Sequence, residues 1–387
     1  MTEPRIMIVA GETSGDLHGA GLIRELRRLS PGARITGMGG RRMLEAGLQP
    51  IHDGEGVFGT AGLVEVLSSL PRVLGTLKRL KNDMGQEPPD IFVPVDFPDF
   101  NFRLARHAHR LGIPVAYFIS PQVWAWRRGR IRTLARMVDR MLCIFPFEAE
   151  IFREGGIETT FVGHPLLDVV GPEPTTKQRN EARKRLGVGP DEPLLALLPG
   201  SRKNEIRRIL PTVLDAVRPL AASRPLRLKL VRAAHLESFA EMDRLLDGAG
   251  LPGLEVVPER ELYPVMRAAD AAVVASGTVT VETALHLLPM TVVYRVSPLT
   301  YLLGRSLVRL EHFAMVNLIA GREVARELIQ GDFTPAALRK EVGRLLSPEI
   351  AGGVREDLRD VRRRLGVPGA YRRTAEQVLD LIRPSTT

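Results

Sequence analysis

The sequence predicts an α/β protein built as two doubly wound parallel sheets in tandem. Three observations lead there. Short apolar runs alternate with longer amphipathic segments, the alternation pauses once at a polar, proline-rich stretch, and a second alternating series then follows. Continuous apolar runs are what strands buried on both faces require, and intervening helices are what parallel connections require. The chain has 387 residues, beyond the roughly 250–300 at which a single hydrophobic core stops growing.

In the first series RIMIVA (5–10) reads as the opening strand, followed by ARITGMG (33–39), DIFVPVD (90–96), PVAYFIS (114–120), RMLCIF (140–145) and TTFVGH (159–164). LHGAGLIRELRRL and FRLARHAHRLG between them carry apolar residues at helical spacing, the second closing on a glycine. Proline and polar residues cluster over 165–176, which reads as a linker. The second series is PLLALLPG (193–200), LRLKLV (226–231), LEVVPE (254–259), AAVVAS (271–276) and MTVVYR (290–295). The expected domains are 1–168 and 169–365, with 366–387 left as a C-terminal helix.

Composition excludes several classes. With 44% hydrophobic and 26% charged residues the chain is globular rather than disordered. The 54 Lys and Arg against 45 Asp and Glu give a net charge of +9, which favours phosphate-bearing or anionic partners without choosing among them. MTEPRIMIVAGETSGD lacks the pattern of a secretory signal, and no window offers 18 uninterrupted apolar residues, so any membrane role is expected to be peripheral. The single cysteine, Cys143, cannot form an intrachain disulfide and reads as core. The eight histidines show no HExxH spacing, and no GxSxG elbow is present. Neither a metal nor any other cofactor is expected.

Ligands of doubly wound sheets bind beyond the carboxyl ends of the strands, so the chemistry is sought in the loops there. GETSGDLHGAG follows the first strand, with Gly11, Gly15, Gly19 and Gly21 around Glu12, Ser14 and Asp16; it is neither GxGxxG nor a P-loop. Its glycines suit either a ligand or close helix–strand packing. LLALLPGSRKNEIRRIL places Ser201 and Arg202 at a helix start, where free N–H groups and an arginine fork suit a diphosphate. AAVVASGTVTVETALHLLP repeats the pattern with Ser276, Gly277 and Thr278, then Glu282, which can accept from ribose hydroxyls or simply complement the helix dipole. VPVDFPDFN ends a strand on two acids. Asp96 can serve as a general base or cap a helix, and Asp99 suits capping better. SPQVWAWRRGR sets Trp124 and Trp126 beside Arg127 and Arg128, a surface able to stack a base, meet anionic lipid, or pack as an ordinary amphipathic helix.

Taken together, VAGETSGDLHGAGLI, VDFPDFN, SPQVWAWRRGR, FVGHPLLD, LLPGSRKNEI, ASGTVTVETAL and VNLIAGRE (316–323) resemble the lipid-A-disaccharide synthases, across almost the whole chain and in order. The resemblance implies a GT-B fold of two facing Rossmann-like domains, the first holding much of the acceptor site and the second binding UDP, with the C-terminal helix returning to the first. It implies an inverting transfer from UDP-2,3-diacylglucosamine to 2,3-diacylglucosamine 1-phosphate (lipid X), giving a β-1,6-linked disaccharide and UDP. Asp96 matches the family's base. Arg202 and Ser14 join it as catalytic candidates. Ser201, Arg202, Ser276, Gly277, Thr278, Glu282 and Asn317 form the expected UDP set, and Glu12, Asp16, Trp124, Trp126, Arg127 and Arg128 are acceptor or membrane candidates. Acylated substrates imply peripheral contact at the cytoplasmic face of the inner membrane, with 56–81 and the Trp-Arg segment as candidate surfaces. A second copy of the chain remains open as a partner. A UDP-sugar epimerase is the nearest alternative. A nucleic-acid-binding protein is disfavoured, because no recognition motif for one is present.

Overall fold

A computed structural model describes residues 3–51, 63–123, 129–297 and 312–382, with the backbone alone over 63–70. The chain forms two compact units, Met1–Asp168 with Leu365–Thr387, and Val169–Arg364. The first holds a seven-stranded sheet in which every pairing is parallel: β1 (Arg5–Ala10), β2 (Arg34–Met38), β3 (Gln49–Pro50), β4 (Ile91–Val95), β5 (Ala116–Phe118), β6 (Arg140–Cys143) and β7 (Thr159–Phe161), ordered β3-β2-β1-β4-β5-β6-β7. The second holds a six-stranded parallel sheet of β8 (Leu194–Leu198), β9 (Arg227–Arg232), β10 (Leu254–Pro258), β11 (Ala271–Ala275), β12 (Met290–Tyr294) and β13 (Arg326–Ile329), ordered β10-β9-β8-β11-β12-β13. Strand order reverses between β1 and β4 and again between β8 and β11, so each unit has one topological switch point.

The central strands are the fully buried apolar runs: every residue of β1, β4, β8 and β11 is buried. Pro94 lies inside β4, where a central strand ordinarily rejects proline. Its missing N–H falls in a gap of the ladder, because β4 meets β5 only at Val95↔Phe118 and at an isolated bridge, Phe92↔Val115. The next N–H, that of Asp96, donates to the Phe118 carbonyl at 3.1 Å and pins the strand's carboxyl end.

FVGHPLLD serves the return of the chain. Gly163 adopts a φ of +83°, the His164 N–H donates to the Leu365 carbonyl at 2.9 Å, and the Asp168 carboxylate accepts from the N–H groups of Gly369 and Tyr371 at the start of helix Ala370–Ile382. That helix packs on helix Thr13–Leu29. The Tyr371 ring sits where a Cβ on Gly21 would meet it at 2.5 Å, and its hydroxyl is 2.9 Å from His18 Nδ1. Gly19 likewise leaves room for Met43. Among the described residues no helix is long and apolar enough to cross a membrane.

The tight seat of Tyr371 sets a testable cost. Gly21→Ala forces the ring away and is expected to destabilise the first unit by about 1–3 kcal/mol. Combining it with Tyr371→Ala should cost less than the two changes summed, measured by urea unfolding.

Candidate functional site

In the second unit the two loops at the switch point line one pocket of about 340 Å³, bordered by Gly200, Ser201, Arg202 and Glu205 after β8, by Ser276, Gly277, Thr278 and Glu282 after β11, and by Glu259. Its size is that of a small-ligand site. Ser201 and Arg202 precede helix Lys203–Ser223, whose first turns would present unsatisfied N–H groups. The Glu205 carboxylate reaches back to the N–H groups of Ser201 and Arg202 at 3.1 and 3.2 Å and to Arg202 Nη1 at 3.3 Å. From behind, His235 Nε2 lies 2.6 Å from the Ser201 carbonyl. Glu282 accepts from the Tyr263 hydroxyl at 2.7 Å, and burial raises its carboxyl above the ordinary range despite that bond. Glu205, Tyr263 and Glu259 escaped sequence reasoning. Glu205 alone left a trace there, standing three residues after Arg202 at capping-box spacing.

In the first unit Asp96 leaves β4 with a φ of +48°, followed by Phe97 at +52°, and Ile119 after β5 has a φ of +62°. Three non-glycine residues in the left-handed region at adjacent strand ends mark stored backbone strain of roughly 1–3 kcal/mol each. The turn is held from several sides. Asn101, fully buried, donates through Nδ2 to the Asp96 carbonyl at 2.7 Å, and the Tyr117 hydroxyl donates to the same carbonyl at 2.8 Å. Gly11 leaves the space Phe97 fills; a Cβ there would stand 2.2 Å from its ring. The carboxyl of Asp96 is pushed up to about 7, first by desolvation and then by the nearby Glu12 carboxylate, against one backbone hydrogen bond. Ser14 is half-buried on the first turn of the helix that follows β1.

Other expected site residues lie elsewhere. Asp16 is buried and spent as a cap: its oxygens accept from the N–H groups of Arg42 and Met43 at 3.1 and 3.0 Å, at the start of helix Arg41–Glu45. Asn317 is fully buried and away from the pocket. Its Oδ1 accepts from Val324 and Ala325 N–H groups, and its Nδ2 donates to the Ala325 carbonyl and Glu327 Oε1, so its polar atoms hold a turn against β13. Asp99 is not the cap of helix Pro98–Arg110. Phe97 occupies that position, and Asp99 is an exposed first-turn acid 2.9 Å from Arg130. Trp124, Trp126, Arg127 and Arg128 lie outside the described residues, as does the beginning of the 56–81 segment. Among the described residues no cluster of His, Cys, Asp or Glu fit to hold a metal is present.

Two parallel α/β units, one with a hydroxyl- and arginine-lined pocket at its switch point, define a GT-B architecture. Solved structures share the fold: UDP-GlcNAc 2-epimerase from Neisseria meningitidis bound to UDP-GlcNAc superposes with a TM-score of 0.67 at 12% identity, covering 97% of this chain and all of that one. The calicheamicin glycosyltransferase does so with a TM-score of 0.61 at 16% identity over the whole of both. Sequence comparison goes further. The family model described as lipid-A-disaccharide synthetase matches residues 6–370. The lipid-A-disaccharide synthases of Myxococcus xanthus and Syntrophus aciditrophicus are 45% and 44% identical, over 98% and 100% of both chains. The chain belongs to the lipid-A-disaccharide synthase family, glycosyltransferases of lipid A biosynthesis.

The raised carboxyl of Asp96 has a stability consequence. A carboxyl whose folded pKa, about 7, exceeds its unfolded value of 3.8 favours the folded state fully below pH 3.8. That contribution is lost as pH rises through about 7. Asp96→Asn, which keeps a residue tolerant of the left-handed region, should therefore raise the unfolding midpoint relative to the parent more at pH 8 than at pH 5. Thermal unfolding at the two pH values checks it.

Proposed function

We propose that the chain transfers the sugar of UDP-2,3-diacylglucosamine to the 6-hydroxyl of 2,3-diacylglucosamine 1-phosphate with inversion, releasing UDP and the β-1,6-linked disaccharide 1-phosphate. The observation that carries this reading is Asp96, a carboxylate held on a strained turn at the switch point, with a proton affinity near neutrality. A base works best when its pKa lies near the working pH. In this reading Asp96 takes the proton of the acceptor hydroxyl as its oxygen attacks the anomeric carbon. Desolvation raises that affinity, Glu12, exposed beside it, adds to the effect, and Ser14 contributes a hydroxyl from the neighbouring loop.

The pocket of the second unit takes the leaving group. Arg202 and the amides of the helix start supply positive charge where diphosphate charge develops. The Ser276 and Thr278 hydroxyls are the remaining phosphate donors, and Glu282, oriented by Tyr263, accepts from ribose hydroxyls. The acylated substrates draw the enzyme to the cytoplasmic face of the inner membrane. Helix Leu63–Gln86 supports such contact, with Pro71 and Leu74 exposed beside Arg72, Lys78 and Arg79.

Mass spectrometry of the products is the primary test. Disaccharide forming only when both lipid substrates are present supports the transfer, whereas a new epimer of the UDP-sugar formed without acceptor, resolved by NMR because its mass is unchanged, turns the reading toward epimerisation. Asp96→Asn should lower turnover about 10²–10⁴-fold while UDP binding persists; near-parental turnover removes Asp96 as the base. Arg202→Ala should lower turnover about a hundredfold. In the parent, kcat/KM should rise tenfold per pH unit in the acid range and level off above about pH 7, because the base acts deprotonated.

A further inference from the structure

The donors assigned to the diphosphate already hold an anion. Glu205 Oε2 accepts from the backbone N–H groups of both Ser201 and Arg202, and Oε1 faces the Arg202 guanidinium. The loop is shaped to admit this carboxylate. Gly200 has a φ of +110°, and a Cβ there would stand 2.5 Å from Glu205 Oε2. Glu205 is itself part of the pocket wall, its side chain 18% exposed against 66% for Arg202. Each N–H has one proton to donate, and two anions at the same pair of donors repel. A phosphate oxygen and the Glu205 carboxylate therefore exclude one another at this position.

We propose that Glu205 is a resident anion of the diphosphate pocket, a positioning residue that occupies the helix-start amides in the free enzyme and is displaced by the diphosphate of a uridine nucleotide. The inference rests on the assignment of this pocket to the diphosphate. In the free state Glu205 keeps the loop in its binding shape and satisfies the Ser201 and Arg202 amides. In the bound state its return competes with the product diphosphate and assists release. Occupancy by Glu205 lowers apparent nucleotide affinity in proportion to the fraction of molecules whose amides are free. The competition acts on the diphosphate and not on the nucleoside.

The test compares UDP with uridine on the full-length enzyme by isothermal titration calorimetry. Glu205→Gln, neutral and a weaker acceptor of similar shape, is expected to tighten UDP binding about fivefold while leaving uridine unchanged. UDP affinity unchanged or weakened in this variant overturns the inference, as does an equal change for UDP and uridine, the mark of a purely structural effect. A crystal structure of the unaltered enzyme with UDP decides independently of how the variant folds. A phosphate oxygen at the Ser201 and Arg202 amides with Glu205 turned away supports displacement. Glu205 still on those amides, with the diphosphate elsewhere in the pocket, overturns it. Parental enzyme that fails to bind UDP, or whose UDP affinity is unaffected by Arg202→Ala, refutes the pocket assignment itself, an outcome distinct from UDP binding that needs Arg202 but is indifferent to Glu205.

Discussion

The reversal of strand order, between β1 and β4 in one unit and between β8 and β11 in the other, is the constraint on which the rest of the molecule depends. Right-handed crossovers on the two sides of that point run over opposite faces of the sheet, so neither covers the carboxyl ends of the two central strands. Loops ending there meet each other and solvent. GETSGD and VDFPDF converge at the first opening, LLPGSR and ASGTV at the second. Apart from Arg5 at the start of β1, the central strands are apolar because they are covered on both faces, and the site's polar chemistry begins where they stop.

At the first opening this economy is carried to the point of strain. Asp96 and Phe97 take left-handed conformations that non-glycine residues avoid. Asn101 and Tyr117 hold the Asp96 carbonyl from below, and Phe97 is seated against Gly11. A relaxed continuation of β4 would carry the side chain of residue 96 along the pleat. The turn instead leaves the carboxyl desolvated beside Glu12, and desolvation is the larger reason its proton affinity is raised. Strain, burial and proton affinity are thus consequences of one local geometry.

Much of this was legible in the sequence, for a reason specific to parallel sheets: strands buried on both faces appear as continuous apolar runs, and loops after them stand out as polar breaks. Two of the four edge strands escape that signal. β3 is two exposed residues and β13 is RELI, with only Leu328 buried, so neither forms an apolar run. The duties of polar residues were less legible, because they are set by partners distant in sequence. Asp16 shares its motif with residues at the first opening and Asn317 stands in another family motif, yet one caps a helix 26 positions away and the other secures a turn. Gly19 and Gly21 read equally well as ligand glycines until Met43 and Tyr371 are seen against them.

Part of the positive charge, which composition alone would assign to anionic partners, is committed inside the fold. Arg183 donates to the carbonyls of Gly189, Glu192 and Ala268, Arg362 to those of Leu285 and Gly171, Arg373 to those of Val162, Val367 and Pro368, and Arg295 to that of Phe333. A guanidinium that satisfies buried carbonyls is a structural clamp, and removing it would leave several acceptors unpaired. Arg202 differs in kind. It is mostly exposed, bonds no carbonyl among the described residues, and faces a carboxylate three residues away in a pocket that also holds the Ser276 and Thr278 hydroxyls. A cation whose partner is a mobile side chain rather than fixed backbone can exchange that partner for a ligand. In the role proposed for it, Arg202 is set apart from these clamps by the replaceability of what it already holds.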